Sequence, residues 1–407
     1  MKIIKTIIIA TAALLLAWAL PWCYAFVCSS PYESPLTLFS PVTHDFATFS
    51  FEGIDNVAGY DLAGNPFSER EFDSIMPTIY ARQLSQEGRL PERIAGRTVD
   101  VQSIEQGNFV FRALPTEHNR PQIGLYQLLT GASCHSALGM PDDVFRITDS
   151  GIEFVSMASN AILPRKSERY TRALADNGFA FPALCITGNA TTHKPYDNGY
   201  LLIDSKGRAF QMKQLCHGRP FVRRIDAPAD LRFVQAYVTE FPDRRFIGFL
   251  ADADGIFHTI DADTYALHRL PLPPIDIDRE RLIVVGDLFY WTAIVDCGNH
   301  ESLTAIDAQS LAVVATHSFD YPEASWQRVR RWIFPFRLTF NSPDDRFTAP
   351  HLRDFSAKAL LLNALCAIAY ALMRRRSKPR PTIWLRSAAI LLCGLFLFIP
   401  LALADRE

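Results

Sequence analysis

Residues 246–272 read FIGFLADADGIFHTIDADTYALHRLPL, in which two apolar runs flank Asp254-Gly255. An Asp-Gly dipeptide supplies the positive-φ positions that a tight hairpin turn requires, and apolar runs of this length are typical of β-strands. Three further stretches with an apolar strand, an acid before a tight turn and a second apolar strand begin at Val144, Gly199 and Tyr290. The sequence therefore predicts a series of antiparallel hairpins.

The acids at these turns recur at intervals typical of a repeat protein. They stand at Asp149, Asp204, Asp254 and Asp296, so the intervals are 55, 50 and 42 residues. Hairpins repeated every 40–50 residues or so are typical of β-propeller blades. We therefore expect a mainly β domain of propeller-like, repeated antiparallel hairpins, with a β-sandwich or an open meander as alternatives.

A small helical part is predicted before the hairpins. Apolar residues recur at helical spacing over residues 72–84, and Ser68 with Glu71 has the capping-box pattern. Pro77 interrupts this stripe, so we expect a kink or two short helices. Residues 28–66, rich in Pro, Ser and Phe, are expected to lead into the domain in an extended conformation, with a short strand at Phe46–Phe51.

Three apolar segments are predicted to be transmembrane α-helices: residues 6–27, 355–373 and 383–404. Each is close to the roughly 20 residues that a helix needs to cross a bilayer. Lys and Arg mark the cytoplasmic ends of such helices, and here they are Lys2, Lys5, Arg374, Arg375, Arg376, Lys378 and Arg380. The N-terminus and the basic loop would lie inside, and residues 28–354 and the C-terminus outside. A cleaved signal peptide is the alternative for the first segment.

The predicted organisation follows from these segments. It comprises an N-terminal transmembrane anchor (1–27), an extended lead with short helices (28–97), an extracytoplasmic β-repeat domain (98–354), a transmembrane helix (355–373), a basic cytoplasmic loop (374–382) and a second C-terminal transmembrane helix (383–404).

Composition and motifs argue against several function classes. The net charge is −2 over 407 residues without a dominant basic stripe, so nucleic-acid binding is not expected. The sequence has no Walker A, Gly-x-Gly-x-x-Gly or His-Glu-x-x-His motif, and we expect no cofactor. A zinc site would need the dispersed pairs Cys134-His135, Cys216-His217 and Cys297 with His300 to converge. We interpret the cysteines mainly as small buried apolar residues, with one disulfide as the alternative.

The turn region of the repeats is the predicted ligand surface, because loops at one end of a repeated β-scaffold are where binding usually concentrates. Its candidate residues are Asp204, Asp252, Asp254, Asp296 and His300. Turn chemistry explains the aspartates equally well, since Asp readily hydrogen-bonds its own backbone in turns.

Three phrases carry a family resemblance: YDNGYLLIDSKGRAFQMK (196–213), GRPFV (218–222) and FSEREFDSIMPTIYARQLSQEGRLPERIAGR (67–97). With them, the chain resembles an uncharacterised family, a domain of unknown function, of bacterial inner-membrane proteins found mainly in Bacteroidetes. The resemblance covers nearly the whole chain. It implies a multi-pass protein of the bacterial inner membrane whose main domain is periplasmic. Its implied partners are the lipid bilayer and the ATPase and permease subunits of an ABC transporter. It implies no catalytic residues.

Three functions remain open from the sequence. The first is a non-enzymatic accessory or sensing subunit of an ABC-type transport or envelope system. The second is a membrane-tethered periplasmic hydrolase on a propeller scaffold, which would need a cleft with a perturbed carboxylate or histidine. The third is a structural envelope protein that acts through an interaction surface.

Overall fold

The computed structural model describes residues 2–29, 35–50, 57–130, 138–321, 323–377 and 379–404. The chain divides into two compact units, which we call the helical unit (1–34 with 321–407) and the β-unit (35–320). This division differs from the sequence-based one, because residues 321–354 were expected to belong to the β-domain. They belong to the helical unit since Phe334 and Leu338 pack against Ala17 and Phe396 of the apolar helices.

The β-unit begins with a four-stranded sheet and a set of short elements. Helix α1 (Lys2–Cys28) comes first in the chain. Sheet 1 follows and consists of β1 (Thr37–Phe39), β2 (Phe46–Phe49), β3 (Val57–Asp61) and β4 (Pro66–Ser68). The elements that follow are α2 (Glu69–Ile75), α3 (Ala81–Gln86), β5 (Arg93–Ile94), β6 (Arg97–Thr98), α4 (Val101–Gly107), β7 (Phe109–Ala113) and α5 (Pro115–His118).

The predicted helices before the hairpins are present as two short ones. The Ser68 backbone N–H donates to Glu71 Oε2 at 2.9 Å, as the capping-box pattern predicts. Helix α2 ends just before Pro77, and α3 begins after it. The preceding residues contain the expected short strand, which is β2, and they also contribute the other strands of sheet 1.

All four predicted hairpins form. The first is β8 (Asp143–Ile147) with β9 (Ile152–Ser156), followed by α6 (Pro164–Asp176). Three larger sheets contain the others: sheet 2 of β10 (Ala183–Gly188), β11 (Tyr200–Asp204), β12 (Ala209–Leu215) and β13 (Arg219–Arg224); sheet 3 of β14 (Phe233–Val238), β15 (Phe246–Asp252), β16 (Phe257–Asp261) and β17 (Leu267–Arg269); and sheet 4 of β18 (Arg281–Gly286), β19 (Tyr290–Asp296), β20 (His300–Asp307) and β21 (Val313–Asp320).

Each of these sheets is an antiparallel meander in chain order, except that β7 pairs with β18 at the edge of sheet 4. Buried side chains join neighbouring sheets in a row. One core joins sheet 1 to sheet 4, a second joins sheet 4 to sheet 3, a third joins sheet 3 to sheet 2, and a fourth joins sheet 2 to the β8–β9 hairpin and α6. With its helices, the fold is mixed α/β with many antiparallel sheets rather than mainly β.

The helical unit contains α1 and the elements after residue 320. These are α7 (Ser325–Ile333), β22 (Arg337–Thr339), β23 (His351–Arg353), α8 (Leu360–Arg374), α9 (Arg380–Cys393) and α10 (Leu395–Ala404). Helices α8 and α9 form an antiparallel pair in which Asn363 Nδ2 donates to the Leu391 carbonyl at 3.0 Å. Polar side chains in apolar helices commonly form such a hydrogen bond to a neighbouring helix.

Two helices of the described chain, not the expected three, are long and apolar enough to cross a membrane: Ile3–Cys28 and Ala357–Arg374. The segment 383–404 breaks at Gly394, whose φ of +57° with ψ of −136° lies outside the helical region. The chain reverses direction at Gly394. Evidence for this is that Ala402, near the end of α10, accepts a hydrogen bond from Arg374 at the end of α8, which is also the end at which α9 begins. An apolar helix at the position of α1 is typical of a membrane anchor or a signal sequence.

Candidate functional site

The turns of the β-unit lie at two opposite ends of its sheets. Turns that join the second and third strands of sheets 2, 3 and 4 carry Asp204, Asp252 and Asp296, and we call this the distal end. Turns that join the first and second strands lie at the other end, which we call the proximal end. Strand β19 separates the two by about 20 Å, at roughly 3.3 Å per residue.

Contacts between sheets show that proximal turns of different sheets adjoin one another. Lys194, between β10 and β11, lies 2.6 Å from Glu240, between β14 and β15. The Tyr290 hydroxyl at the start of β19 lies 3.3 Å from Nδ1 of His44, between β1 and β2. Arg245 Nη2, between β14 and β15, donates to the Gln309 carbonyl, between β20 and β21, at 3.2 Å. The proximal end is therefore a continuous surface that includes sheets 1 to 4.

Asp204 is fully buried and serves its own turn. Its carboxylate accepts backbone N–H groups of Lys206 and Arg208 at 2.9 Å, and the Arg208 guanidinium lies 2.5 Å away. Burial alone would raise the pKa of Asp204, but these hydrogen bonds outweigh it and hold the pKa below the usual range. Every one of these contacts is internal to the fold, and together they stabilise the turn.

Asp252 is likewise buried and its carboxylate is fully engaged. Oδ1 accepts the N–H groups of Asp254 and Ile256 at 3.0 and 2.9 Å, and Oδ2 lies 2.8 Å from His258 Nε2. Asp254 is exposed. These two line an acidic cleft of about 580 Å³ with His118, Asp276, Asp278 and Glu280.

The remaining candidates do not line that cleft. Asp296 accepts the Gly298 N–H at 2.7 Å, and His300 Nδ1 lies 3.0 Å from an Asp320 carboxylate oxygen. The structure thus places Asp252 and Asp254 in the turn between β15 and β16, Asp296 and His300 in the turn between β19 and β20, and Asp204 alone in the turn between β11 and β12. Within the described residues, no group of three or more His, Cys, Asp or Glu side chains has the arrangement of a metal site.

The cysteines do not assemble the zinc site that was considered. Cys216 is disulfide-bonded, as the alternative interpretation of the cysteines predicted, whereas Cys134 and His135 lie outside the described residues. Desolvation and a hydrogen bond to Glu280 raise the pKa of the Cys297 thiol to about 11, so it stays protonated at neutral pH. Cys185 is buried and free, in keeping with a packing role.

A different cavity, at the proximal end, has the features of a small-molecule site. It measures about 410 Å³ and lies between sheets 1 and 4 beside β7. Phe39, Met76 and Phe109 provide apolar walls, and polar groups are few. Pockets of roughly 300–1,000 Å³ with mostly apolar walls and a few convergent polar groups are typical of ligand sites. We call it the Asp287 cavity.

Asp287 is the acid in this cavity. Its Oδ1 accepts the N–H groups of Phe289 and Tyr290, both at 2.7 Å, and its Oδ2 accepts the Thr78 hydroxyl at 2.9 Å. Desolvation by the surrounding protein raises the pKa of Asp287, although the hydrogen bonds oppose this. Perturbed carboxyls in cavities are candidates for functional residues.

Asn108 provides a second polar group in the same wall. Its Nδ2 donates to the Thr78 carbonyl at 2.8 Å, and this bond fixes the orientation of the amide. The buried Oδ1 accepts no hydrogen bond from any residue that the structure describes. A buried acceptor of this kind is costly unless a donor reaches it.

A buried ionic cluster lies elsewhere on the proximal end. Lys194 contacts Asp197 at 2.5 Å and Glu240 at 2.6 Å, and all three side chains are at most 6% exposed. Asn198 donates its N–H to Glu240 at 2.9 Å and its Nδ2 to the Thr239 carbonyl at 2.7 Å. The Asp-Asn-Gly-Tyr phrase of residues 197–200 thus ties sheet 2 to sheet 3.

Sequence reasoning missed the Asp287 cavity, although part of the signal was visible. Gly286-Asp287 is followed by a strand in the same way as the turn acids that were selected. Asp287 lies between the first and second strands of sheet 4, whereas Asp204, Asp254 and Asp296 lie between second and third strands. Its distance along the sequence from those acids therefore does not fit the repeat. Nothing local marks Asn108, which reaches the cavity because β7 pairs with β18.

Comparison with known proteins identifies the family of the chain. A family model described as "Domain of unknown function (DUF4857)" matches residues 36–306, more than half of the chain, and the chain therefore belongs to this family. No curated protein matches the sequence. Among solved structures, the chain is similar to "Structure of Dos1 propeller" with 8% identity and a TM-score of 0.26. That match covers 44% of this chain and 45% of the other, and so weak a likeness carries no argument.

Proposed function

We propose that this member of the DUF4857 family is a non-enzymatic, membrane-anchored binding protein whose β-unit takes a small ligand into the Asp287 cavity. The observation that carries the proposal is the unpartnered Asn108 Oδ1, which is buried in the wall of that cavity near a desolvated carboxyl. A ligand that donates a hydrogen bond would satisfy this acceptor. Binding rather than turnover follows from the small number of reactive groups among the described residues of the lining.

The chemistry of the walls defines the ligand class. Asn108 Oδ1 and the Asp287 carboxyl offer acceptors, whereas Phe39, Met76 and Phe109 offer apolar contact. The ligand would therefore be a small, partly apolar molecule with a hydroxyl or amine group. The cavity of about 410 Å³ suits a molecule at the lower end of the drug-like range.

Substitution of Asp287 tests this function. We expect native mass spectrometry of the full-length protein, purified in mild detergent, to detect a small molecule retained from the cell. Asp287→Asn should reduce its retention several-fold, whereas Asp296→Asn, which alters a turn acid at the distal end, should not. Equal retention by both variants, or none by the unmodified protein, would count against the proposal.

We also propose that the β-unit is propeller-like. Four-stranded antiparallel meanders are the form of propeller blades, and four cores link sheet 1, sheet 4, sheet 3, sheet 2 and the β8–β9 hairpin in a row. In a ring, the β8–β9 hairpin would adjoin sheet 1. An experimental structure that placed these two far apart would leave an open array instead.

For the membrane, we propose a multi-pass protein of the bacterial inner membrane with the β-unit in the periplasm. Helix α1 would cross outward and α8 inward, since Lys5 and the residues Arg374 to Arg376 stand at their cytoplasmic ends. Because the chain reverses at Gly394, α9 and α10 would form a re-entrant pair, and the C-terminus would be cytoplasmic. Lys2, Lys378 and Arg380 fit this orientation by sequence, although the Lys2 side chain and Lys378 lie outside the described residues.

The partner that we propose is an ABC-type permease with its ATPase, for which the protein would be an accessory or sensing subunit. This rests on the family resemblance of the sequence phrases. Purification of the intact protein from its native membrane, followed by mass spectrometry, should enrich both subunits. Recovery of the protein alone at good yield would favour a structural envelope protein without an ATPase.

A periplasmic hydrolase is the second candidate, and the raised pKa of Asp287 favours it, since a general acid needs such a shift. The described lining residues include no His, Cys or second carboxylate beside it. Turnover of a bound ester or glycoside that disappears in Asp287→Asn would establish the hydrolase.

A further inference from the structure

The helical unit contains a large apolar groove with a basic mouth. It measures about 870 Å³ and lies between α8 and α9. Small side chains leave the space open, notably Ala367 and Ala371 of α8 and Ala388 of α9. At one end it is lined by Arg375, Arg376 and Arg380.

The guanidinium groups of these three arginines make no stabilising contact with the described residues. They are exposed, and none forms an ion pair or side-chain hydrogen bond with a residue that the structure describes. Two neighbouring arginines behave differently: Arg374 donates to the Ala402 carbonyl and Arg386 to the Tyr370 hydroxyl, both at 3.0 Å. The mouth therefore keeps its positive charge available.

The described helices of this unit supply no counter-charge to these arginines. Residues 355–404 contain no Asp or Glu, so this helical segment supplies no acid of its own. Arginine is suited to phosphate, because its planar guanidinium donates two parallel hydrogen bonds. An occupant that matches both parts of the groove has an anionic phosphate head and a long apolar tail.

We propose that this groove binds an anionic glycerophospholipid, with its phosphate at Arg375, Arg376 and Arg380 and an acyl chain along Ala367 and Ala371. The inference rests on the membrane placement proposed above, under which the mouth lies at the cytoplasmic headgroup layer. Trp384, 76% exposed beside the groove, is the type of residue that prefers this layer. Occupancy by the lipid would hold α8 and α9 in a fixed relation.

Lipid titration of the full-length protein tests the inference. The delipidated protein in detergent is titrated with dioleoylphosphatidylglycerol and with dioleoylphosphatidylcholine, and bound lipid is counted by native mass spectrometry. We expect a preference of about tenfold or more for phosphatidylglycerol, since each basic residue near the headgroup favours anionic lipid.

Two variants separate the two halves of the groove. The triple change Arg375→Gln, Arg376→Gln and Arg380→Gln should abolish the preference for phosphatidylglycerol. Ala371→Trp should weaken the binding of both lipids, because the indole fills the groove. A charge-matched control removes three exposed arginines of the β-unit, namely Arg165→Gln, Arg169→Gln and Arg224→Gln, and should retain the preference.

Failure of the lipid site can be distinguished from failure of the proposed membrane placement. Equal binding of both lipids by the unmodified protein, or an unchanged preference in the triple Gln variant, overturns the lipid site. So does a co-purifying protein that occupies the groove and is not displaced by phosphatidylglycerol. Membrane fractionation of the triple variant is the check on anchoring, because a chain absent from the membrane would refute the membrane placement itself.

Discussion

Replacement of Lys194 by Met should destabilise the β-unit strongly. The Lys194 ammonium is the charge that both Asp197 and Glu240 contact, and the three side chains are 4%, 3% and 6% exposed. Removing one partner of a buried ion pair costs about 3–5 kcal/mol, because a buried charge is left without compensation. The shape of Met differs little from that of Lys, so the loss is electrostatic rather than steric.

The structure indicates which of the two carboxylates is destabilised more when the Lys194 ammonium is removed. Glu240 keeps hydrogen bonds from the Asn198 N–H and from Asn189 Nδ2, both at 2.9 Å. Asp197 has Lys194 as the donor to its Oδ1, and its Oδ2 is buried without a partner among the described residues. The double variant Lys194→Met with Asp197→Leu removes the stranded charge. It should therefore recover about 2 kcal/mol or more relative to Lys194→Met alone.

Thermal unfolding of the full-length protein in detergent, followed by near-UV circular dichroism, measures both effects. At roughly 2 °C per kcal/mol for a unit of this size, Lys194→Met should lower Tm by about 6–10 °C. Lys206→Met, at an exposed lysine of a distal turn, should change stability by less than about 0.5 kcal/mol. A loss below about 1 kcal/mol for Lys194→Met, or no recovery in the double variant, would refute the reasoning about the cluster.

Three further predictions concern separate parts of the chain. Asp204→Asn should destabilise the β-unit by about 1.5–3 kcal/mol at pH 7. Because the folded pKa of Asp204 is lowered, this difference should persist above the unfolded carboxyl pKa of about 3.9 and shrink as the pH falls below it, as urea unfolding at several pH values would show. Gly286→Ala would drive a Cβ into the Phe109 ring and should cost about 1–3 kcal/mol, whereas Gly139→Ala, which meets open space, should be neutral in the same unfolding assay. A reporter fused after Glu407 should be active as a cytoplasmic fluorescent protein and inactive as a periplasmic phosphatase, and the opposite result would contradict the reversal at Gly394.

Local patterns predicted the hairpins well because their determinants are local. Lys206-Gly207 and Asp254-Gly255 each supply a positive φ within two residues, and the two glycines adopt φ of +73° and +78° as the turns require. The two short helices around Pro77 were predicted for the same reason. Asp204, Asp252 and Asp296 hydrogen-bond their own turns at the distal end, and their prediction as ligand residues stays a prediction, since the same side-chain chemistry suits a turn and a ligand.

Long-range pairing accounts for what the sequence did not predict. The Asp287 cavity needs β7 beside β18, and the Lys194–Glu240 contact joins residues 46 positions apart. The C-terminal segment was predicted as one span because hydropathy is continuous across Gly394. A single backbone conformation reverses the chain there, and hydropathy does not register such a change.

The most direct test of the account is to block the Asp287 cavity without disturbing its polar groups. Val110 lines the cavity and is 51% exposed, so Val110→Trp should fill it at little cost in stability. Val313→Trp is the matched control, since Val313 is 46% exposed on the outer strand of sheet 4. Native mass spectrometry of the full-length protein should show a small molecule retained by the unmodified protein and by Val313→Trp and lost from Val110→Trp. Equal retention by the two Trp variants would contradict the claim that this cavity is the binding site.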